Sequence, residues 1–108
     1  MYKTVLTLIL LSISNYAASG SQSGKVKDIV VRNDGLHWFI LDGTRHDMPP
    51  CAKFSYWMIE DEKSDYGKSQ FSMLLTAYLS NSTISVAGTG TCSRWRDGES
   101  VKSIKFSK

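Results

Sequence analysis

Lys68 to Ser80 (KSQFSMLLTAYLS) is the stretch on which the fold turns, because it is the one segment of the chain with a helical period. Phe71, Leu74, Leu75 and Tyr78 recur at i, i+3, i+4 and i+7, which predicts a single amphipathic helix with those four side chains on its buried face. Ser69 is the expected N-cap and Asn81 the residue just past the C-terminus. The segments on either side carry the composition of strands and turns, so the place of this helix among them sets the architecture.

Upstream, Gly24 to Arg32 (GKVKDIVVR) is β-rich, yet Val26 and Ile29 stand three apart and break the period of two, as a bulge does. Asn33, Asp34 and Gly35 form a turn signal, and Leu36 to Leu41 (LHWFIL) follows as the second strand of an antiparallel hairpin. Asp42 to Pro50 (DGTRHDMPP) is a loop, since Gly and two prolines exclude ladder pairing. Cys51 to Glu60 (CAKFSYWMIE) reads as a third strand with three aromatics, and Glu60 to Gly67 as a polar lead into the helix. Downstream, Thr83 to Ala87 (TISVA) alternates with Ile84 and Val86 inward. Gly88 to Gly98 (GTGTCSRWRDG) is a turn-rich loop, and Val101 to Phe106 is a short fifth strand with Ile104 and Phe106 on one face. The order β-β-β-α-β-β is that of the OB-fold, a five-stranded Greek-key barrel with a helix closing one end. The same order also allows an open α+β sheet with the helix across one face; the bulged first strand favours the barrel.

The N-terminus has a different character. Met1 to Lys3 give a short basic start, and Thr4 to Ile13 (TVLTLILLSI) an apolar run too short to span a bilayer. The small residues Ala17, Ala18, Ser19 and Gly20 then suit a signal peptidase, with the cut after Ser19 or Gly20. The expected organisation is a secretory signal over 1–19, a flexible GSQSG linker over 20–24 and one domain over 25–108, not membrane-spanning after cleavage. The mature chain of about 89 residues buries only roughly 60% of its unfolded surface, so a covalent brace matters. Cys51 and Cys92, the two cysteines of the chain, are expected to supply it as a disulfide in an oxidising periplasmic or extracellular compartment. Without Lys3 the chain has 12 basic and 10 acidic side chains, interspersed, which is no footprint for nucleic acid.

Motifs that carry chemistry are few. His46 lies five residues before Cys51, but a disulfide sulfur is no nucleophile. Gly88, Gly90 and Cys92 lack the third glycine and the βαβ setting of a dinucleotide site. Asp61, Lys63, Asp65 and Gly67 place a lysine and a tyrosine where a calcium loop needs oxygen and glycine. His37 and His46 have no partners at metal-ligand spacing, and Asn81-Ser82-Thr83, though it matches a glycosylation sequon, reads as a helix end followed by a strand. No catalytic residue, metal site or cofactor is therefore expected. The exception with promise is Arg94-Trp95-Arg96, an aromatic between two guanidinium groups beside a cysteine, equipment for holding a sugar or a carboxylate. The structural alternative packs Trp95 over the barrel and pairs the arginines with Asp97 and Glu99.

With that layout, the mature chain resembles the small exported OB-fold proteins of Gram-negative bacteria and is similar to the binding subunits of subtilase-cytotoxin-like and pertussis-like AB5 toxins. The likeness rests on the signal peptide, on Gly24-x-Val26-x-x-Ile29, on Leu74-Leu75-x-Ala77-Tyr78, and on the Val-containing strand that leads to Gly90-x-Cys92. It implies a non-enzymatic binding domain that recognises glycans and forms homo-oligomeric rings. The chain is shorter than those subunits and matches no sugar pocket of theirs, so no binding residue is carried over. The expected function is an exported binding module for a glycan or protein partner; the alternative is a periplasmic immunity or inhibitor protein.

Overall fold

A computed structural model describes residues 18–107 of the chain, so the expected leader over 1–19 lies outside the described residues except for Ala18 and Ser19. The elements are β1 (Ser21–Val31), β2 (His37–Leu41), β3 (Trp57–Met58), α1 (Asp65–Ser80), β4 (Thr83–Gly88) and β5 (Glu99–Phe106). They form a closed barrel in the order β1-β2-β3-β5-β4, mainly β with one helix and OB-fold-like, as the element order predicts.

Closure depends on β1 serving two neighbours. Its first half, Ser21 to Lys25, pairs antiparallel with β4, and its second half, Val26 to Val31, with β2. The register shifts between Val26 and Asp28, at the place where the sequence breaks its alternation. A bulge there bends the strand so that one ribbon can belong to two sheets. The remaining seams are β2 with β3 and β4 with β5, antiparallel, and β3 with β5, parallel through Trp57↔Glu99 and Met58↔Ser100. The β1–β2 turn is closed by Gly35 N–H to the Arg32 carbonyl and Arg32 N–H to the Leu36 carbonyl, with Gly35 at φ 92°.

Three expectations are corrected. Residues 20–24 are no linker: Ser21 to Gly24 form the first rungs against β4, and Gln22 is buried beneath Trp57. Gly24 lies where Asp42 approaches, a Cβ there falling 2.7 Å from its Oδ1, and the Ser23 hydroxyl bonds Ser85 across the rung at 2.8 Å. Of Cys51 to Glu60, only Trp57 and Met58 are strand; Cys51 to Tyr56 cross the barrel surface as irregular chain held by the disulfide and by Lys53 N–H to the Asp97 carbonyl at 2.9 Å. The helix begins at Asp65, capped by Ser64, whose hydroxyl accepts from Gly67 N–H at 3.0 Å, not by Ser69.

The helix also sits rotated from its expected face. Gly67, Gln70, Leu74 and Ala77 are buried, Phe71 is half-buried, and Leu75 and Tyr78 are exposed. Gly67 packs against the Asp61 carbonyl of the preceding turn, where a Cβ has no room, and Leu74 and Ala77 are the helix residues that enter the barrel core, which leaves Leu75 and Tyr78 on the outer face. At the C-terminus Asn81 takes the left-handed conformation, φ 55°, and its N–H returns to the last carbonyls. Leu74 and Ala77 join Val26, Phe39, Leu41, Trp57, Ile59, Ile84, Val86 and Val101 in one core. Cys51 and Cys92 are bridged, with 6.1 Å between their Cα atoms.

Candidate functional site

Barrels of this kind take ligands on the face of strands two and three, flanked by the loops after strands one and four. In this chain that face is where aromatic side chains collect. Trp38 points outward from β2, opposite Met58 in the β2–β3 register. Tyr56, just before β3, packs against Trp38 with 5.3 Å between ring centroids, and Phe54 stacks on Tyr56 at 5.6 Å and 13°. Phe54 is 55% exposed, so a large part of its surface remains free.

The loop from Thr89 to Gly98 closes over the same face. Trp95 and Gly98 form a tight turn, Gly98 N–H donating to the Trp95 carbonyl at 3.2 Å, with Arg96 and Asp97 at its tip. Gly98 is required by close approach: a Cβ there would lie 2.6 Å from the Tyr56 ring and 2.7 Å from Met58 Cε. Tyr56 donates its hydroxyl proton to the Asp97 carboxylate. Its pKa is pushed up to about 12, first by burial and then by Asp97, while Trp95 and Arg96 pull the other way. Arg32, from the β1–β2 turn, lies over the Trp95 ring at 4.8 Å, and Arg96 flanks that ring at 5.9 Å.

The predicted trio is thus divided. Trp95 and Arg96 belong to the aromatic face. Arg94 turns away and pairs with Glu62 at 2.9 Å, and Glu62 also accepts from His37 N–H, so Arg94 ties the loop to the segment before the helix. Neither Arg94 nor Arg96 pairs with Glu99, which is fully buried and bonded to Arg45 at 2.7 Å. Reading the sequence missed Trp38, Phe54, Tyr56 and Arg32 as members of the face. Trp38 and Tyr56 fall in sequence that reads as strand, where an aromatic is ordinarily core, and nothing local shows that Arg32 meets Trp95 across more than sixty residues of chain.

Two covalent and backbone ties hold the halves of the face together. The Cys51–Cys92 bridge joins the segment carrying Phe54 and Tyr56 to the loop carrying Trp95, and the Lys53–Asp97 backbone bond repeats the join five residues further along that loop. A platform fixed before its ligand arrives loses less entropy on binding.

An open concavity of about 340 Å³ lies away from the aromatic residues, among Ser21, Gln22, Ser23, Thr44, His46 and Ser85. Ser23 Oγ and Ser85 Oγ bond one another at 2.8 Å, and the one ring in its lining is the His46 imidazole. The aromatic face is the better candidate on chemistry. Among the described residues no three His, Cys, Asp or Glu side chains are placed to hold a metal ion. Comparison with protein-family models, with curated proteins and with solved structures finds no match to this chain.

Proposed function

We propose that this protein is an exported, non-enzymatic recognition module whose ligand is a glycan, held on the face formed by Trp38, Phe54, Tyr56 and Trp95. The observation that carries the reading is the continuous run of rings from Phe54 through Tyr56 to Trp38, with Trp95 flanked by two guanidinium groups. Sugar rings present an apolar C–H face for stacking and a rim of hydroxyls for hydrogen bonds. Aromatic faces answer the first, and Arg32, Arg96 and Asp97 supply donors and an acceptor at the edge. The disulfide fits a compartment where thiols are oxidised, the periplasm or the exterior.

Screening the purified mature protein on a glycan array tests the proposal. Binding is expected, and Trp95→Ala or Phe54→Ala should weaken it about tenfold or more, the worth of one stacked ring. Absence of glycan binding by the wild type, or affinity untouched by both substitutions, would remove the sugar reading. Capture of one stoichiometric protein through the same face would instead favour the inhibitor role.

A further inference from the structure

Glu99 stands at the first position of β5 with no surface exposed, and the recognition face makes no use of it. Its Oε1 accepts from Arg45 Nη2 at 2.7 Å. Its Oε2 accepts from two backbone N–H groups, Gly20 at 2.8 Å and Gly90 at 3.0 Å. Gly20 is therefore built into the barrel. Its carbonyl accepts from Gly88 N–H at 2.8 Å, and a Cβ at position 20 would lie 2.3 Å from Glu99 Oε1, so only glycine fits. Ser19, one residue earlier, is exposed.

This bears on a choice that the sequence leaves open. Small residues permit cleavage at Ser19–Gly20, with Ala17 and Ser19 in the two peptidase pockets, or at Gly20–Ser21, with Ala18 and Gly20 there. The second cut would discard both Gly20 hydrogen bonds and leave Oε2 of a buried carboxylate with one donor, a loss that buried charges tolerate poorly. The first cut keeps Gly20 and changes its nitrogen from an amide to an amine at the same place.

We propose that the leader is removed at the Ser19–Gly20 bond and that the α-ammonium of Gly20 so released becomes a second cationic partner of buried Glu99. The proposal rests on the export reading given above. In the cleavage, water adds across the amide under a leader peptidase: the C–N bond breaks, the Ser19 carbonyl carbon takes the hydroxyl oxygen and leaves as a carboxylate, and the Gly20 nitrogen takes the protons. One ammonium hydrogen points at Oε2, and the opening left by Ser19 keeps the others hydrated. Arg45 holds the opposite oxygen with its guanidinium 3.6 Å over the Trp57 ring, so the two cations do not compete for one site. Processing then strengthens the fold, because a charge-assisted hydrogen bond replaces a neutral one.

Two experiments separate this proposal from the reading beneath it. N-terminal sequencing of the exported protein, expressed as the full chain, should begin at Gly20; any other start, or an intact leader, overturns the cleavage assignment, and retention of the whole chain in the cytoplasm overturns export itself. Independently of export, the chain released in vitro to start at Gly20 can be compared with chains starting at Ala18 and at Ser21, all of which contain every strand of the barrel. The Gly20 chain should melt about 4–8 °C above the Ala18 chain at neutral pH, with the Ser21 chain lowest. Equal melting of the first two overturns the ion pair. A second readout needs no melting: the Gly20 amine should be acylated at least tenfold more slowly than that of a short glycine-initiated peptide, and equal rates overturn the proposal.

Discussion

A carboxylate buried in a small barrel is costly unless it is well hydrogen-bonded, and Glu99 accepts three donors, from Arg45, Gly20 and Gly90. Arg45 is in turn committed: Nη1 donates to the Ser55 carbonyl at 3.0 Å, and its planar face lies on Trp57, whose indole N–H donates to Gln22 Oε1 at 2.8 Å. Burial pulls the Arg45 pKa below the usual arginine value and Glu99 opposes that, yet a guanidinium stays charged throughout, so its burial needs a carboxylate partner. Glu99→Gln should therefore cost about 3–5 kcal/mol in urea unfolding, because it strands a buried cation. Replacing both partners, Arg45→Met with Glu99→Gln, should recover a large part of that loss; a double variant as unstable as the sum of the singles would show that the pair is not coupled. Tyr56 makes a second residue-scale prediction. Its phenol ionises near 10 in an unfolded chain and only at about 12 in the fold, so the fold favours the neutral form. The corresponding stability is fully present below pH about 10 and is lost as pH rises from there toward 12. Phenolate absorbance should show Tyr56 titrating at about 12, and Asp97→Asn should bring it back toward the ordinary phenol value. None of this was legible in the sequence, where Glu99 looks like one more loop charge beside two arginines. Its true partner is 54 residues away in a loop that only the closed barrel brings near.

Elements were more legible where their signal is local. The bulge in β1 could be read from the spacing of Val26 and Ile29, because a departure from period two has few other causes in a β-rich run. The helix was legible in type and at its C-terminus, and was misplaced at its start and by its face. Both differences come from residues with little apolar signal: Gly67 fits the helix start against the Asp61 carbonyl and Ala77 faces the core, while Leu75, Tyr78 and Leu79 carry a strong signal and remain exposed. Phe54 and Tyr56 alternate as strand residues do, because an extended chain lying on a barrel has the same period as one paired within it. The cap makes the helix testable. Ser64 Oγ accepts from Gly67 N–H and donates to the Asp61 carbonyl at 2.7 Å, so it joins the helix start to the turn before it. Ser64→Ala should destabilise the protein by about 1 kcal/mol, within a range of roughly 0.5–2. Ser69→Ala, at the start expected from sequence, should stay within about 0.5 kcal/mol of wild type in the same denaturation series.

At the scale of the whole molecule the disulfide has two tasks, and they can be measured apart. It closes the stretch between Cys51 and Cys92, a separation of 41 residues that contains β3, the helix and β4. Constraining a loop of that length in the unfolded chain is worth about 4 kcal/mol on the entropy model, a large share of what so short a chain can have. It also fixes the loop that bears Trp95 to the segment that bears Phe54 and Tyr56, where Asp97 makes the further direct ties, its carbonyl to Lys53 N–H and its carboxylate to the Tyr56 hydroxyl. The variant with both cysteines changed to serine should thus lose about 4 kcal/mol in urea unfolding, and below its midpoint it should remain a barrel by far-ultraviolet circular dichroism. In that still-folded population the affinity for any ligand found on the aromatic face should fall as well, because the platform must then be ordered at the moment of binding. A folded variant that binds as tightly as wild type would mean that the bridge serves stability alone, and that Lys53 with the close contact at Gly98 holds the face without it.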